Sequence, residues 1–361
     1  MKLSGLILLL LLLASPAWAA KKITVVQLQD LLHSLKDANK TDAEVASQLE
    51  QVELTEELTK GAMGSLVSFV PGPLTTDQIY VLEARSALLA PSAADLPSAP
   101  APDAAAQKAL LDKAVDYVTK VYAQLPHLTA TKTTFRFQDR LPPANDPVFH
   151  YIGSIDAQVE SQGGAEVPST VKDPTQWGAN NQIAILGQGP VLTTVLEEAQ
   201  AAGKINWLRW ETVYGRQTAV FSFAVDKKKS RYAVNYCCFP DNDQGRMNLA
   251  NAGVQPGTAG TIQGGIAWTP YKATLPYHGE LFVDSQTGAV TRLLTVADFK
   301  PFETVHQEET RIDYGSVKVD GKMLILPVRT IVDTEVFPEG GSASKRTIRR
   351  TLYTAEIKDY K

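Results

Sequence analysis

Residues 277–328 constrain the fold of this chain most tightly. They read Y-H-G-E-L-F-V-D-S-Q-T-G-A-V-T-R-L and, further on, R-I-D-Y-G-S-V-K-V-D-G-K-M-L-I-L-P-V. Short β-branched and aromatic runs are cut by Thr287-Gly288, Tyr314-Gly315 and Asp320-Gly321. An X-Gly pair between such runs signals a hairpin, because glycine takes the positive φ of a tight turn. The pattern predicts an up-and-down antiparallel sheet with strands near 277–284, 289–296, 304–314, 318–326, 330–337 and 347–357. Three further strands are expected in a row at 205–212, 217–225 and 231–239, turned at Tyr214-Gly215 and Asp226-Lys227.

Upstream the period changes. Thr24-Val25-Val26-Gln27 and Thr41-Asp42-Ala43-Glu44 fit the capping box, in which a hydroxyl and a longer polar side chain satisfy each other's free amides. Leu28, Leu31, Leu32 and Leu35 then recur at helical spacing, and Val45, Leu49, Val52 and Leu54 are read as a second helix. A third helix is expected over 58–70 and a fourth from Thr75, so 20–90 reads as a small helical bundle. Residues 91–103, rich in proline and alanine, read as a linker. One long helix follows at 104–125, and from Thr129 the alternation T-A-T-K-T-T-F-R-F returns the chain to strand. A helical insertion is expected at 189–202, and 240–266 reads as a long loop. The fold class predicted is α+β: helical bundle, linker, then a helix covering a large curved antiparallel sheet at 104–361.

Residues 1–19 read as an export signal. Lys2 is the positive end, the run from Leu6 to Leu13 is the apolar centre, and Ala17-Trp18-Ala19 is a small-x-small cleavage site. No cysteine for lipidation stands there, and no later run is long enough to span a bilayer. The mature chain is expected to be periplasmic or secreted. A formal charge of -4 carries no basic surplus for nucleic acid.

Catalytic signatures are missing from the sequence. His33, His127, His150, His278 and His306 have no metal-ligand spacing. His278 and Glu280 share a strand face, an arrangement read as a pair that could ligate a metal or shuttle a proton, or as an ordinary hydrogen-bonded strand histidine. No nucleophile elbow, P-loop or dinucleotide fingerprint occurs, so neither a cofactor nor a metal is expected. Carboxylates brought together only by folding leave no trace in a sequence, which keeps a dispersed hydrolase site open. Cys237 and Cys238 are adjacent, and strand neighbours point to opposite faces. A bond between them would need local distortion and would end the strand. A vicinal disulfide, two free thiols and a metal or redox site all remain open.

Trp207, Trp210, Phe221, Phe223, Tyr232 and Tyr236 are the candidate ligand-binding residues. Phe221 and Phe223 share one face of their strand, Tyr232 and Tyr236 share one face of the next, and Trp207 is expected to stand opposite in facing to Trp210. On a curved sheet such rings would line an apolar cavity, and on a filled one they would be ordinary core.

F-V-D-S-Q-T-G-A-V-T-R-L at 282–293, followed by the strand pair at 311–328, resembles the sheet of outer-membrane lipoprotein-sorting (LolA/LppX-like) proteins, where a V-D-x-x-T-G-x-x-x-R hairpin recurs. That resemblance implies a half-barrel whose concave side, covered by helices, holds an acyl chain. The N-terminal helical bundle and the linker depart from the family. L-P-H-L-T-A-T-K-T-T-F-R-F-Q-D at 125–139 and W-L-R-W-E at 207–211 resemble uncharacterised exported proteins of soil bacteria, a likeness that implies no activity. The function expected is a non-enzymatic extracytoplasmic binding or carrier protein for a lipid or other apolar ligand. The alternatives are a cell-envelope protein that docks a partner through its helical bundle, and a hydrolase with a dispersed carboxylate site.

Overall fold

The computed structural model describes residues 21–93, 96–139, 149–167, 184–185, 191–240, 268–300, 303–336 and 349–361. The expected signal sequence, and the long loop from residue 241 on, lie outside the described residues.

Both capping boxes form. The Thr24 hydroxyl accepts from the Gln27 amide while the Gln27 side chain accepts from the Thr24 amide, opening α1 (Val25–Asp37). Thr41 and Glu44 do the same for α2 (Asp42–Leu49). Val52 and Leu54 do not continue that helix. They belong to β2 (Val52–Leu54), which pairs in parallel with β1 (Lys21–Ile23), so this unit is not purely helical. α3 (Lys60–Leu66) follows. α4 (Pro73–Ser86) starts at proline and not at Thr75, because Asp42 reaches across and accepts from the Leu74 and Thr75 amides. Ile23, Leu28, Leu32, Leu49, Leu66 and Ile79 are buried together as the unit's own core.

Asp103 caps α5 (Ala104–Lys120), and a single 3-10 turn at Tyr122–Gln124 replaces the end of the helix expected to reach 125. The strands follow as β3 (Leu128–Asp139), β4 (Phe149–Gln162), β5 (Ala165–Glu166) and β6 (Ala184–Ile185). After α6 (Leu192–Ala202) come β7 (Ile205–Val213), β8 (Arg216–Val225), β9 (Ala233–Pro240) and β10 (Trp268–Thr274). The last five are β11 (Tyr277–Asp284), β12 (Val290–Ala297), β13 (Val305–Val319), β14 (Lys322–Val336) and β15 (Arg349–Lys358).

Ten of these strands make one open antiparallel sheet, ordered β5-β4-β3-β15-β14-β13-β12-β11-β8-β7. With the six helices among the described residues the fold is α+β. The expected third strand of the 205–239 run leaves this sheet: β9 pairs with β6 and β10 in a separate three-stranded sheet. Tyr314-Gly315 makes no turn either. β13 runs straight through it for 15 residues, and a bulge against β14 places Pro327 opposite Tyr314, where the ladder is already interrupted. The turn at Asp320-Gly321 does form, with φ of 47° and 81°.

Alternation along each strand gives the sheet two unlike faces. The inner face carries Phe221, Phe223, Tyr277, Leu281, Leu293 and Tyr314 and is covered by α5, α6 and the small sheet. The outer face is covered in part by the N-terminal unit, where Val81, Ala84 and Ala87 pack on Phe137, Ile331 and Leu352. Gly279, in the middle of β11, lets β12 and the Phe223 ring approach. A Cβ there would lie 1.9 Å from the Leu294 carbonyl oxygen and 2.8 Å from Phe223. Gly279→Ala is therefore expected to cost about 2 kcal/mol or more in a urea melt, the upper range of overpacking penalties. An unchanged melt would refute this packing.

Candidate functional site

The structure brings the six sequence-predicted rings to one face of the fold. Trp207 and Trp210 meet edge to face at 4.8 Å, and Trp207 meets Phe221 at 5.7 Å. Phe223 contacts Tyr277 at 6.0 Å, and Tyr277 contacts Tyr232 at 5.1 Å. Offset edge contacts of this kind are the favoured packing of aromatic quadrupoles. Phe221, Phe223, Tyr232 and Tyr236 are all at most 4% exposed. Trp207 and Trp210 are half-buried at the β7 edge, where the Trp210 indole donates to the Pro100 carbonyl of the linker at 2.9 Å. The phenols are tied as well: Tyr232 and Tyr236 donate to Glu308, and Tyr277 donates to Glu198. Phe221, Phe223, Tyr232 and Tyr236 are packed interior, with the two tryptophans at its margin.

β9 runs through Cys237 and Cys238 to Pro240 with Cys237 opposite Ala184, so the strand does not end at the pair. Their side chains lie outside the described residues. His278 and Glu280 share the outer face without joining: His278 Nδ1 lies 2.8 Å from Asp298 Oδ1, and Glu280 accepts from Arg209. No group of three potential metal ligands occurs among the described residues.

A buried ionic row on the outer face escaped the sequence reading. In register across six strands stand Arg209, Val220, Phe282, Arg292, Asp313 and Arg329. Asp313, fully buried, accepts from Arg292 Nε at 2.8 Å and from Arg311 Nε at 3.0 Å and Nη2 at 3.1 Å. The N-terminal unit supplies the remaining partners. Glu57 accepts from Arg311 at 2.7 Å, and the two Glu83 oxygens take both terminal nitrogens of Arg329. Arg311 also donates to the Ala87 carbonyl. Arg209 bridges Glu211 and Glu280, and Arg209 and Arg292 both lie over the Phe282 ring, at 5.8 and 5.0 Å.

Where residues 87–91 cross this row they leave a cleft of about 40 Å³, lined by Arg209, Glu211, Glu280, Phe282, Arg292 and Arg311. That is room for a few waters and not for a sugar or an acyl chain. Arg209 Nη2 donates to both Glu211 and Glu280, at 2.8 Å each. Both are held by that guanidinium, and Glu211 also by Arg292. Burial pushes Glu211 up while Arg292 and Arg209 pull it down, and burial wins. For Asp313 the balance is opposite. Burial would raise it, but the charges and hydrogen bonds of Arg311 and Arg292 hold it far below the usual carboxylate range. The row's chemistry is fastening. No family model matches the chain, and no curated protein or solved structure matches it either.

Two expectations test this assignment. Removing one side of a buried pair strands a charge, so Arg329→Ala should lose about 3–5 kcal/mol in denaturant melts. The apolar double variant Arg329→Met/Glu83→Leu should lose much less. Asp313, depressed in the folded state, adds stability above the unfolded carboxylate pKa that is lost as pH falls toward its folded value. Stability should therefore drop steeply below about pH 4, and more shallowly in Asp313→Asn measured against its own neutral value. Equal acid slopes would contradict the assignment.

Proposed function

We propose that this chain is a non-enzymatic extracytoplasmic interaction protein of the cell envelope that presents its N-terminal helical unit to a partner. The observation that carries this reading is the way the unit is mounted. Glu57 and Glu83 fix it to Arg311 and Arg329 of the sheet, while Val26, Val67, Leu74 and Tyr80 stand 66, 67, 51 and 49% exposed on it. A rigid mount lowers the ordering cost of docking, and exposed apolar side chains supply its driving force. The signal-like residues 1–19 support the compartment. No helix among the described residues is long and apolar enough to cross a membrane.

The chain of rings from Trp210 to Tyr232 favours a second reading, a carrier for an apolar ligand on the inner face. Carriage would require α5, α6 or the small sheet to move off rings that are now packed, with hydrocarbon burial of about 0.8 kcal/mol per CH₂ repaying the opening. A half-barrel form of the sheet, and the 91–103 linker as a hinge, belong to this reading.

A photo-crosslinking residue placed at Val67 and, separately, at exposed Met323 on the sheet separates the readings in the producing cell. The interaction reading expects a discrete protein adduct from position 67, lost in Val26→Asp, and none from 323. Adducts from neither position, together with lipid retained by the purified chain in native mass spectrometry, would replace it with the carrier.

A further inference from the structure

The inner face holds a carboxyl that the fastening row does not explain. Glu308, on β13, is 2% exposed and lies under the small sheet. Tyr232, just before β9, and Tyr236, on β9, reach it with their hydroxyls at 2.6 Å from Oε1 and 2.5 Å from Oε2. Among the described residues its bonded partners are these two phenols and no cation. That distinguishes it from Asp313, Glu57, Glu83 and Glu198, each of which meets a guanidinium. A carboxylate without countercharge in an apolar setting pays its full desolvation cost, which two phenol donors offset only in part. The neutral acid also fits. Its hydroxyl can donate to Tyr232, whose own proton then turns to the neighbouring Thr295 hydroxyl.

We propose that Glu308 is a proton-operated latch: with its proton it holds the β9–β10 ribbon against the ten-stranded sheet, and on losing the proton to solvent it lets that ribbon swing away. The latch needs neither functional reading above. What it gates is access to Tyr232, Tyr236 and Tyr277 on the inner face.

The charged and titratable groups around the latch are few. The ribbon brings Tyr271, bonded to Glu303, and Arg231, bonded to Glu197 and Glu198 of α6. β15 brings Tyr353, with Arg136 of β3 beside it. His306 lies two residues along β13 and is exposed. Burial raises the phenols of Tyr232 and Tyr236, with Glu308 adding to the effect, and Tyr271 is raised by burial and by Glu303. None of these phenols titrates near neutrality. Burial likewise raises Glu308, against the pull of Tyr232 and Tyr236.

The sign follows from linkage. In the open form Glu308 faces water and ionises as an ordinary carboxyl near 4.5, whereas in the closed form it ionises higher. Opening therefore releases a proton. The opening constant should rise up to about tenfold per pH unit above that value and level off at the closed-state pKa.

Hydrogen exchange of the β9 and β10 amides in the full mature chain, corrected for intrinsic rates between pH 5 and 9, reads this constant directly. The wild type should open more as pH rises. Glu308→Gln, neutral at every pH and of the same shape, should open to the same extent throughout. Tyr236→Phe, which removes one stabiliser of the carboxylate, should move the plateau to higher pH. A Glu308→Gln profile parallel to wild type would assign the effect to another group and overturn the latch. So would a flat wild-type profile, or a Tyr236→Phe plateau that stays or moves down.

Discussion

Everything on the outer side of the sheet depends on one condition: a buried guanidinium must have its carboxylate. Arg292, Arg311 and Arg329 project from the central strands onto a face that the N-terminal unit covers, and an unpaired charge there would cost several kcal/mol. Asp313 answers Arg292 and Arg311 from within the sheet, whereas Arg311 and Arg329 also need Glu57 and Glu83 from the covering unit. Exchange of the pairs for apolar residues would cost little, but removal of either half costs a great deal. Such a row does more to fix where the helical unit sits than to add net stability. The apolar contact of Val81, Ala84 and Ala87 with Ile331 and Leu352 supplies attraction without that directional demand.

The two faces of the sheet solve the burial of charge differently. Outside, carboxylates meet arginines, and Arg311 and Arg292 hold Asp313 far below the usual carboxylate range. Inside, Glu308 meets two phenol hydroxyls and, among the described residues, no guanidinium. Glu198 lies between the two: it takes the Tyr277 hydroxyl on one oxygen and Arg231 on the other, at the junction of α6 and the ribbon. The interior thus grades from hydrocarbon under α5 to a polar seam under β9.

Local signals were legible in the sequence, and sheet-wide ones were not. The capping boxes at Thr24 and Thr41 involve atoms three residues apart, and the turn at Asp320-Gly321 needs only its own two dihedrals. Tyr314-Gly315 carries the same two-residue signature, but the pairing of β13 with β14 on both sides of it keeps the strand extended. Val52 has helical spacing relative to Val45 and Leu49, yet Lys21–Ile23 draws it and Leu54 into a parallel pair that no local window contains. Period-two counting pairs Phe221 with Phe223 and Tyr232 with Tyr236 but sets Trp207 opposite Trp210, and the bulge between Trp207 and Arg209 brings those two together instead. The burial of the rings comes from α5, α6 and the small sheet. The ionic row was hidden for a related reason. Arg209-x-Glu211 and Arg311-x-Asp313 look like the wet face of an amphipathic strand until the register lines them up beneath another unit. Four arginines on four strands, each facing a carboxylate, become a signal only once the strand order is known.

Ion pairs from Glu57 and Glu83 to Arg311 and Arg329 should make the N-terminal unit and the sheet unfold as one cooperative body. Urea unfolding followed by hydrogen exchange, read separately on the amides of α1 and α4 and on those of β13 and β14, measures that most directly. Coincident midpoints and slopes for the two sets are the predicted result. A helical unit that melts at a lower urea concentration while the central strands stay protected would contradict it.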